Sequence, residues 1–200
     1  LAVDSVASAT VTSAAIKQAV ADCATQAGGD AEALKSAPLG RPAPADETYD
    51  VDVVVVGAGA AGLAAANTAL ETGANVLILE KVGVTGGSTT RSGGKILGAG
   101  TPWQEAQDFE DTPEMMYDYL MSFDRDGIMD EDLVRAFCEN SAENIQWLVD
   151  RGVKIQDVEP IHSSLTPWRV HNVEGGGAQT SGHGRQFCVP LANAYEQAGG

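Results

Sequence analysis

Three glycines with the spacing G-x-G-x-x-G are the residues of this 200-residue chain whose pattern points most directly to chemistry. Gly57, Gly59 and Gly62 follow an apolar run and precede a segment rich in small residues. Between a strand and a helix, the first glycine permits a tight turn and the second permits close approach of a pyrophosphate. The third lets the helix lie close to the strand, and the free N–H groups at the helix start then hold phosphate oxygens.

An acid farther along the chain extends this pattern to a dinucleotide type. Glu80 lies 18 residues after Gly62, close to the spacing of about 20 expected for a carboxylate that binds ribose hydroxyls. Such a carboxylate would repel a 2′-phosphate, which disfavours an NADP-type ligand. Two ordinary interpretations stay open: a strand-end acid for Glu80, and a flexible loop for the glycines.

The elements that must position these residues form a predicted βαβ unit. The β-branched run 51–56 predicts a strand buried on both faces, 63–73 predicts a helix, and 75–79 predicts a second buried strand. A long loop rich in Gly, Ser and Thr follows over 82–102. We therefore expect an α/β fold: a Rossmann-like domain that holds the first part of a doubly wound parallel sheet, truncated.

Helices dominate our interpretation of the remaining chain, and no further strand is identified. One helix is predicted to begin with Asp111 as its acid cap, one or two to occupy 130–151, and a short one to occupy 191–198. His171 lies in a predicted loop before a run of glycines. It is either close to the ligand site or a histidine whose ring is satisfied locally.

Residues 50–200 resemble the flavin-binding start of the fumarate reductase/succinate dehydrogenase flavoprotein family, whose closer members are soluble fumarate reductases and urocanate reductase. The specific stretch is VDVVVVGAGAAGLAAANTALETGANVLILEKVGVTGGSTTRSGGKILGAGT. A second glycine-rich loop after Glu80 favours FAD over NAD, because a long extended flavin needs more backbone contacts; a serine-glycine linker is the alternative interpretation.

The resemblance assigns a role to each part of that stretch. It implies that 86–89 bind the pyrophosphate and ribityl chain, and that 92–94 pass the isoalloxazine edge. Ser88 stands where family members often carry Asn, and it still offers a hydroxyl. The FAD-binding residues implied are Gly57, Ala58, Gly59, Ala61, Gly62, Glu80, Lys81, Gly86, Gly87, Ser88, Thr89, Ser92, Gly93 and Gly94.

The N-terminal residues 1–35 resemble the C-terminal end of an FMN-binding domain, and 36–49, with three prolines, are predicted to be a linker. In that domain the phosphate of FMN esterifies a threonine hydroxyl, which implies covalent FMN at Thr10. Four positions match the family pattern: Asp4, Ala9, Thr10 and Thr12. Ala7 and Ser8 replace its Ser-Gly pair. The alternative is a helix-capping cluster, with Thr12 or Ser13 as the N-cap.

The resemblance implies an FAD-dependent oxidoreductase acting on CH–CH bonds. The flavin would transfer a hydride to the C=C bond of an α,β-unsaturated carboxylate, with electrons from a donor protein or a quinol-linked chain. Ketosteroid dehydrogenase or amino-acid oxidase chemistry on the same fold is an alternative, as is an electron-transfer module without its own substrate. No catalytic residue is assigned in this chain, because the family's substrate-binding and proton-donating motifs match no position here.

The composition of the chain limits the kinds of partner that it is expected to bind. The formal net charge of −16 argues against nucleic acid, and no run of about 18 apolar residues predicts a membrane span. The three cysteines are not at metal-ligand spacing, so no metal is predicted. The chain opens on Leu1, which suggests a piece of a longer protein. Covalent FMN would imply a bacterial protein exported to the periplasm or cell surface, with the cytoplasm as the alternative.

Overall fold

A computed structural model describes residues 9–36, 45–160, 168–176 and 181–200 of the chain. The chain divides into two compact units, 1–49 and 50–200. Among the described residues, no helix is long and apolar enough to cross a membrane.

The N-terminal unit contains helices α1 (Thr10–Gln26) and α2 (Ala31–Ser36). Helix α1 has Ala9 as its N-cap, with no side-chain capping bond, so the predicted caps at Thr12 and Ser13 are wrong. The helix starts earlier because threonine costs only a few tenths of a kcal/mol in a helix interior. The positions Asp4, Ala7 and Ser8 lie outside the described residues, as does most of the predicted linker.

The second unit contains five strands, seven helical segments and the connections between them, as far as it is described. Their bounds are β1 (Val53–Val56), α3 (Ala60–Glu71), β2 (Val76–Leu79), a 3-10 turn (Thr89–Arg91), β3 (Lys95–Leu97), α4 (Pro102–Glu105), α5 (Pro113–Met121), α6 (Glu131–Glu139), α7 (Ser141–Asp150), β4 (Ile155–Pro160), β5 (Trp168–Val173) and α8 (Arg185–Gln197).

The predicted βαβ unit is confirmed by the first three of these elements. Strands β1 and β2 pair in parallel from Val53 opposite Val76 to Val56 opposite Leu79, and α3 packs against both. The chain leaves the helix through Gly73, whose φ of +82° is accessible to glycine with little strain. The parallel pairing brings the carboxyl ends of both strands to one edge, which is where the glycine turn begins.

Burial of the first strand differs from the prediction. Helix α3 covers one face of the strand pair, whereas Val54 and Val56 on the other face are 52% and 84% exposed. The expectation that 51–56 is buried on both faces is therefore wrong for the described structure. A β-branched run fits strand backbone on either face, so it predicts the strand without reporting how many layers cover it.

A second, antiparallel sheet was not predicted. Its strand order is β3-β5-β4, with Ile96 opposite His171 and Val158 opposite His171 on the other side. Strand β3 has three residues and lies inside the glycine-rich stretch, and the central strand β5 buries Arg169, His171 and Asn172. These polar residues hide the apolar alternation that identifies a half-buried strand.

The helix predictions are confirmed over 130–151 by α6 and α7, and Gly152, with a φ of +93°, follows the end of α7. The predicted cap of α5 is wrong: Thr112 Oγ1, not Asp111, accepts the hydrogen bond from Met115 N. Helix α8 begins at Arg185 rather than near residue 191, and it includes Pro190.

Asp111 instead takes part in a buried ion pair that joins the start of α5 to strand β5. The Nε and Nη2 groups of Arg169 donate to its two carboxylate oxygens at 2.8 and 2.6 Å. Gln104 Nε2 donates to the same carboxylate at 3.0 Å. The two charged side chains are almost wholly inaccessible to solvent, so each depends on the other for compensation.

We predict that Asp111→Asn will lower the free energy of unfolding by about 3–5 kcal/mol, because it leaves the buried Arg169 guanidinium uncompensated. Urea unfolding of the two proteins measures the difference. Glu114→Gln is the control: it breaks the exposed Glu114–Arg135 pair and should lower the free energy of unfolding far less, because solvent screens the two charges. An equal decrease in the free energy of unfolding for the two variants would show that the buried pair stabilises the fold no more than the exposed pair does.

Candidate cofactor site

The first glycine turn connects β1 to α3, and its three glycines are required for different reasons. Gly57 has a φ of +102° and donates its N–H to Leu79 O at 2.8 Å. A Cβ on Gly62 would lie 1.9 Å from Gly57 O, so a side chain there would force the helix away from the turn. These two glycines thus serve the conformation and packing of the chain itself.

Gly59 differs from both. It is the N-cap of α3, its φ of −74° is open to any residue, and a Cβ built on it would meet no atom within 4 Å. The chain's own packing therefore does not require glycine at this position. The first-turn N–H groups of a helix also have no acceptor within the helix. A bare backbone position beside these N–H groups fits a phosphate-bearing ligand.

Glu80 follows strand β2 and lies against this turn. Its Oε1 accepts a hydrogen bond from Val82 N at 3.0 Å, and its Oε2 accepts one from Ala58 N at 2.8 Å. These two bonds favour the ionised form and lower the pKa of the carboxyl group. Each carboxylate oxygen retains a lone pair, which leaves acceptors for ribose hydroxyls. Lys81 is exposed beside it.

The second glycine-rich loop contacts the first turn through backbone atoms. Gly86 pairs with Gly59 in an isolated parallel bridge, and Gly86 N donates to Ala58 O at 2.6 Å. Gly86 and Gly87 have φ values of +106° and +50°. The structure thus brings together the two loops that the sequence analysis selected separately, with Gly87 and Ser88 exposed at their edge.

The end of this loop leads into the antiparallel sheet. Thr89 Oγ1 lies 3.4 Å from Ala60 N, at the start of α3. Gly94 has a φ of +73°, and its carbonyl accepts a hydrogen bond from Val173 N at 3.0 Å. Gly93 is half-buried beside it. The hydrogen bond to β5 fixes where the turn ends and where β3 begins.

A cavity of about 370 Å³ opens between α3 and this turn. Three of the predicted FAD-binding residues line it, namely Ala61, Thr89 and Ser92, together with Lys95 and apolar side chains from α7 and α8. The glycines of the first turn and Glu80 do not line this cavity. The predicted residues therefore form one continuous region with two parts, a backbone cradle and an adjoining cavity.

Residues 182–184, which the sequence analysis did not select, form hydrogen bonds to the backbone of the turn at 91–92. Gly184 N donates to Ser92 O at 3.1 Å, and Gly182 N donates to Arg91 O at 3.3 Å. A Cβ on Gly184 would lie 1.7 Å from Thr89 O. The closely spaced glycines of the tetrapeptide Ser-Gly-His-Gly are the signal in the sequence that could have indicated this second close backbone approach.

His171 is part of the interior rather than of the cradle. It is fully buried on β5, with Nε2 2.7 Å from Thr101 Oγ1 and Nδ1 3.1 Å from Arg169 O. Burial lowers the pKa of the imidazole, so the ring is neutral at pH 7. Of the two interpretations offered for this residue, the satisfied ring is the one the structure supports. Among the described residues, no group of three or more His, Cys, Asp or Glu side chains could hold a metal ion.

Comparison with known proteins identifies the family of this chain. Residues 52–199 match the family model described as FAD binding domain. The chain belongs to this family. Urocanate reductase from Eggerthella lenta is 42% identical over 182 residues, a match that covers 88% of this chain and 30% of that protein. NADH:fumarate oxidoreductase from Klebsiella pneumoniae is 35% identical over 176 residues, with coverage of 88% and 18%. The resemblance to the fumarate reductase flavoproteins is thereby confirmed.

Solved structures give the same fold. The open conformation of a flavocytochrome c3 fumarate reductase superposes with a TM-score of 0.67 at 28% identity, over 82% of this chain and 31% of that one. The 3-ketosteroid-Δ4-(5α)-dehydrogenase from Rhodococcus jostii RHA1 does so with a TM-score of 0.67 at 34% identity, over 78% and 38%. These neighbours confirm the Rossmann-like FAD-binding fold. The chain spans less than a third of the length of the two curated relatives described above.

We predict that Gly59→Val will leave the free energy of unfolding of the FAD-free protein within about 1 kcal/mol of wild type, because the side chain enters open space. The affinity for FAD should nevertheless fall at least about tenfold, since that space would belong to the pyrophosphate. Urea unfolding and quenching of flavin fluorescence measure the two quantities in the full-length protein.

Gly62→Ala is the matched control, because its methyl group would overlap Gly57 O. It should destabilise the FAD-free protein, unlike Gly59→Val. Wild-type FAD affinity in Gly59→Val would show that the open side of the turn is not where the cofactor binds.

Proposed function

We propose that the full-length protein containing this chain is an FAD-dependent oxidoreductase that reduces the C=C bond of an α,β-unsaturated carboxylate. Bound FAD would supply the hydride for that bond. The observation that carries the proposal is the backbone contact between the two glycine loops at Gly59 and Gly86, beside the ionised Glu80. The substrate class comes from relatives whose names specify urocanate and fumarate.

The residues of this chain would bind and orient the cofactor. N–H groups at the start of α3, next to Gly59, are proposed to hold the pyrophosphate, and the free lone pairs of Glu80 to accept hydrogen bonds from the ribose hydroxyls. The loop 86–89 would hold the pyrophosphate and ribityl chain, and 92–94 the isoalloxazine edge. The hydrogen bond from Val173 N to Gly94 O supports the last role, because it anchors the turn to a sheet rather than leaving it in a free loop.

A second candidate is dehydrogenation of a ketosteroid. The similarity to the Rhodococcus enzyme, at 34% identity over 78% of this chain, favours it. The same cradle would hold FAD in both cases, but the net reaction runs in opposite directions. A reductase returns its reduced flavin to the oxidised state with an unsaturated acid, whereas a dehydrogenase reduces its oxidised flavin with a steroid.

We expect the dithionite-reduced full-length protein to be reoxidised under anaerobic conditions by an unsaturated acid such as fumarate, urocanate or an aryl acrylate. Recovery of the visible flavin absorbance measures this, with the saturated acids as controls. Bleaching of the oxidised flavin by a 3-ketosteroid would instead support the second candidate. A flavin that responds to none of these compounds would indicate an electron-transfer module and contradict the proposal.

We also propose that residues 1–35 are the end of an FMN-binding domain and that Thr10 carries covalent FMN. Thr10 is exposed at the first position of α1, while Ala9 is the N-cap, so the capping alternative does not account for it. The match to urocanate reductase supports the proposal further, since a match over 88% of the chain has to include part of the N-terminal unit.

We predict that the denatured full-length protein, produced in a host with the flavin transferase, will give a fluorescent band on a gel. Thr10→Val should abolish the band, because it removes the hydroxyl that forms the phosphoester, and FAD binding by the second unit should persist. Thr25→Val is the control and should keep the fluorescence, because Thr25 is exposed on the same helix and lies outside the matched pattern. A dark wild-type band would contradict modification of this protein.

A further inference from the structure

Lys95 lies where the proposed cofactor region passes into the antiparallel sheet. It follows Gly94 directly, begins β3, and lines the same cavity as Ala61, Thr89 and Ser92. A basic residue is unusual in the lining of this largely apolar cavity. Its position next to the proposed isoalloxazine turn is set by the backbone hydrogen bond between Gly94 O and Val173 N.

The ammonium group of Lys95 forms an ion pair with the carboxylate of Glu159. The two residues belong to the outer strands β3 and β4, and they bridge the central strand, where Lys95 is opposite Asn172 and Glu159 is opposite Val170. Their side chains are 36% and 25% exposed, so water screens the two charges only in part. Asp157 lies on the same strand as Glu159 and accepts a hydrogen bond from Asn172 Nδ2.

We infer that Lys95 and Glu159 exert opposite and balanced effects on the reduction potential of the bound FAD, because they place a pair of compensating charges beside the proposed isoalloxazine turn. This inference rests on the proposed function. Two-electron reduction with uptake of one proton adds one negative charge to the flavin ring. A positive charge near the ring therefore favours reduced flavin, and a negative charge favours oxidised flavin.

The pair gives two single variants with opposite consequences. Glu159→Gln leaves the Lys95 charge unpaired, so the potential should rise. Lys95→Gln leaves the Glu159 charge unpaired, so the potential should fall. The double variant removes both charges and should return close to wild type. Asp157 is unchanged in all three proteins and does not alter the direction of either shift.

The test uses full-length protein loaded with FAD, with the potential measured at pH 8 against a reference dye during slow reduction. We expect each single variant to change the ratio of affinities for reduced and oxidised flavin by about three- to tenfold, or about 14 to 30 mV for a two-electron couple. Lys154 and Glu174 form a matched exposed pair, 73% and 64% accessible, at 3.5 Å. Lys154→Gln and Glu174→Gln should leave the potential unchanged, because solvent screens both groups.

The outcomes separate this inference from the proposal on which it rests. Failure of the wild-type protein to bind FAD would overturn the proposed function. Normal FAD binding, with potentials that are unchanged in both single variants, would overturn the role of the ion pair alone. Shifts in the same direction in both variants would also overturn it, because they would reflect loss of structure rather than charge.

Discussion

The close backbone contact between two loops, at Gly59 and Gly86, is the constraint on which the rest of the cofactor region depends. Gly86 N donates to Ala58 O at 2.6 Å, a contact that places the second loop directly on the first turn. A Cβ on Gly86 would lie 2.1 Å from Thr90 Cγ2 and 3.1 Å from Cys188 Cβ, so the second loop has no room for a side chain at this point. This contact therefore holds the two glycine-rich loops together.

The backbone conformation of these two loops could be predicted because its requirements are expressed in residue types, whereas the assignment of their residues to FAD binding stays a prediction. Gly57 and Gly86 have positive φ values, and Gly62 lacks room for a Cβ, so glycine at each position reports a local backbone constraint. The parallel strand pair is equally local, since a β-branched run, a short helix and a second run are adjacent along the chain. Local constraints of this kind can be identified from spacing alone.

The antiparallel sheet could not be predicted in the same way, because its stability depends on partners that are distant in sequence. Arg169 is compensated by Asp111, which lies 58 residues earlier in the chain. His171 is satisfied by Thr101, which lies 70 residues away. A strand whose buried face is polar becomes recognisable only once these partners are known, since unpaired burial of such groups is costly. The prediction that β1 is buried on both faces was wrong for a different reason: strand propensity does not report burial.

The glycine-rich loops and the antiparallel sheet meet at Gly94 and Lys95. The glycine cradle is built from backbone and offers a bound cofactor N–H groups and shape, whereas the antiparallel sheet offers fixed side-chain charges. Val173 N holds the turn from the sheet side, and it lies on the same strand as Arg169, which is paired with Asp111. A substitution that displaces this strand would therefore move the end of the turn, while the contact between Gly59 and Gly86 involves neither residue. Strand β5 thus links the stability of the polar interior to the geometry of the turn that is proposed to hold the flavin edge.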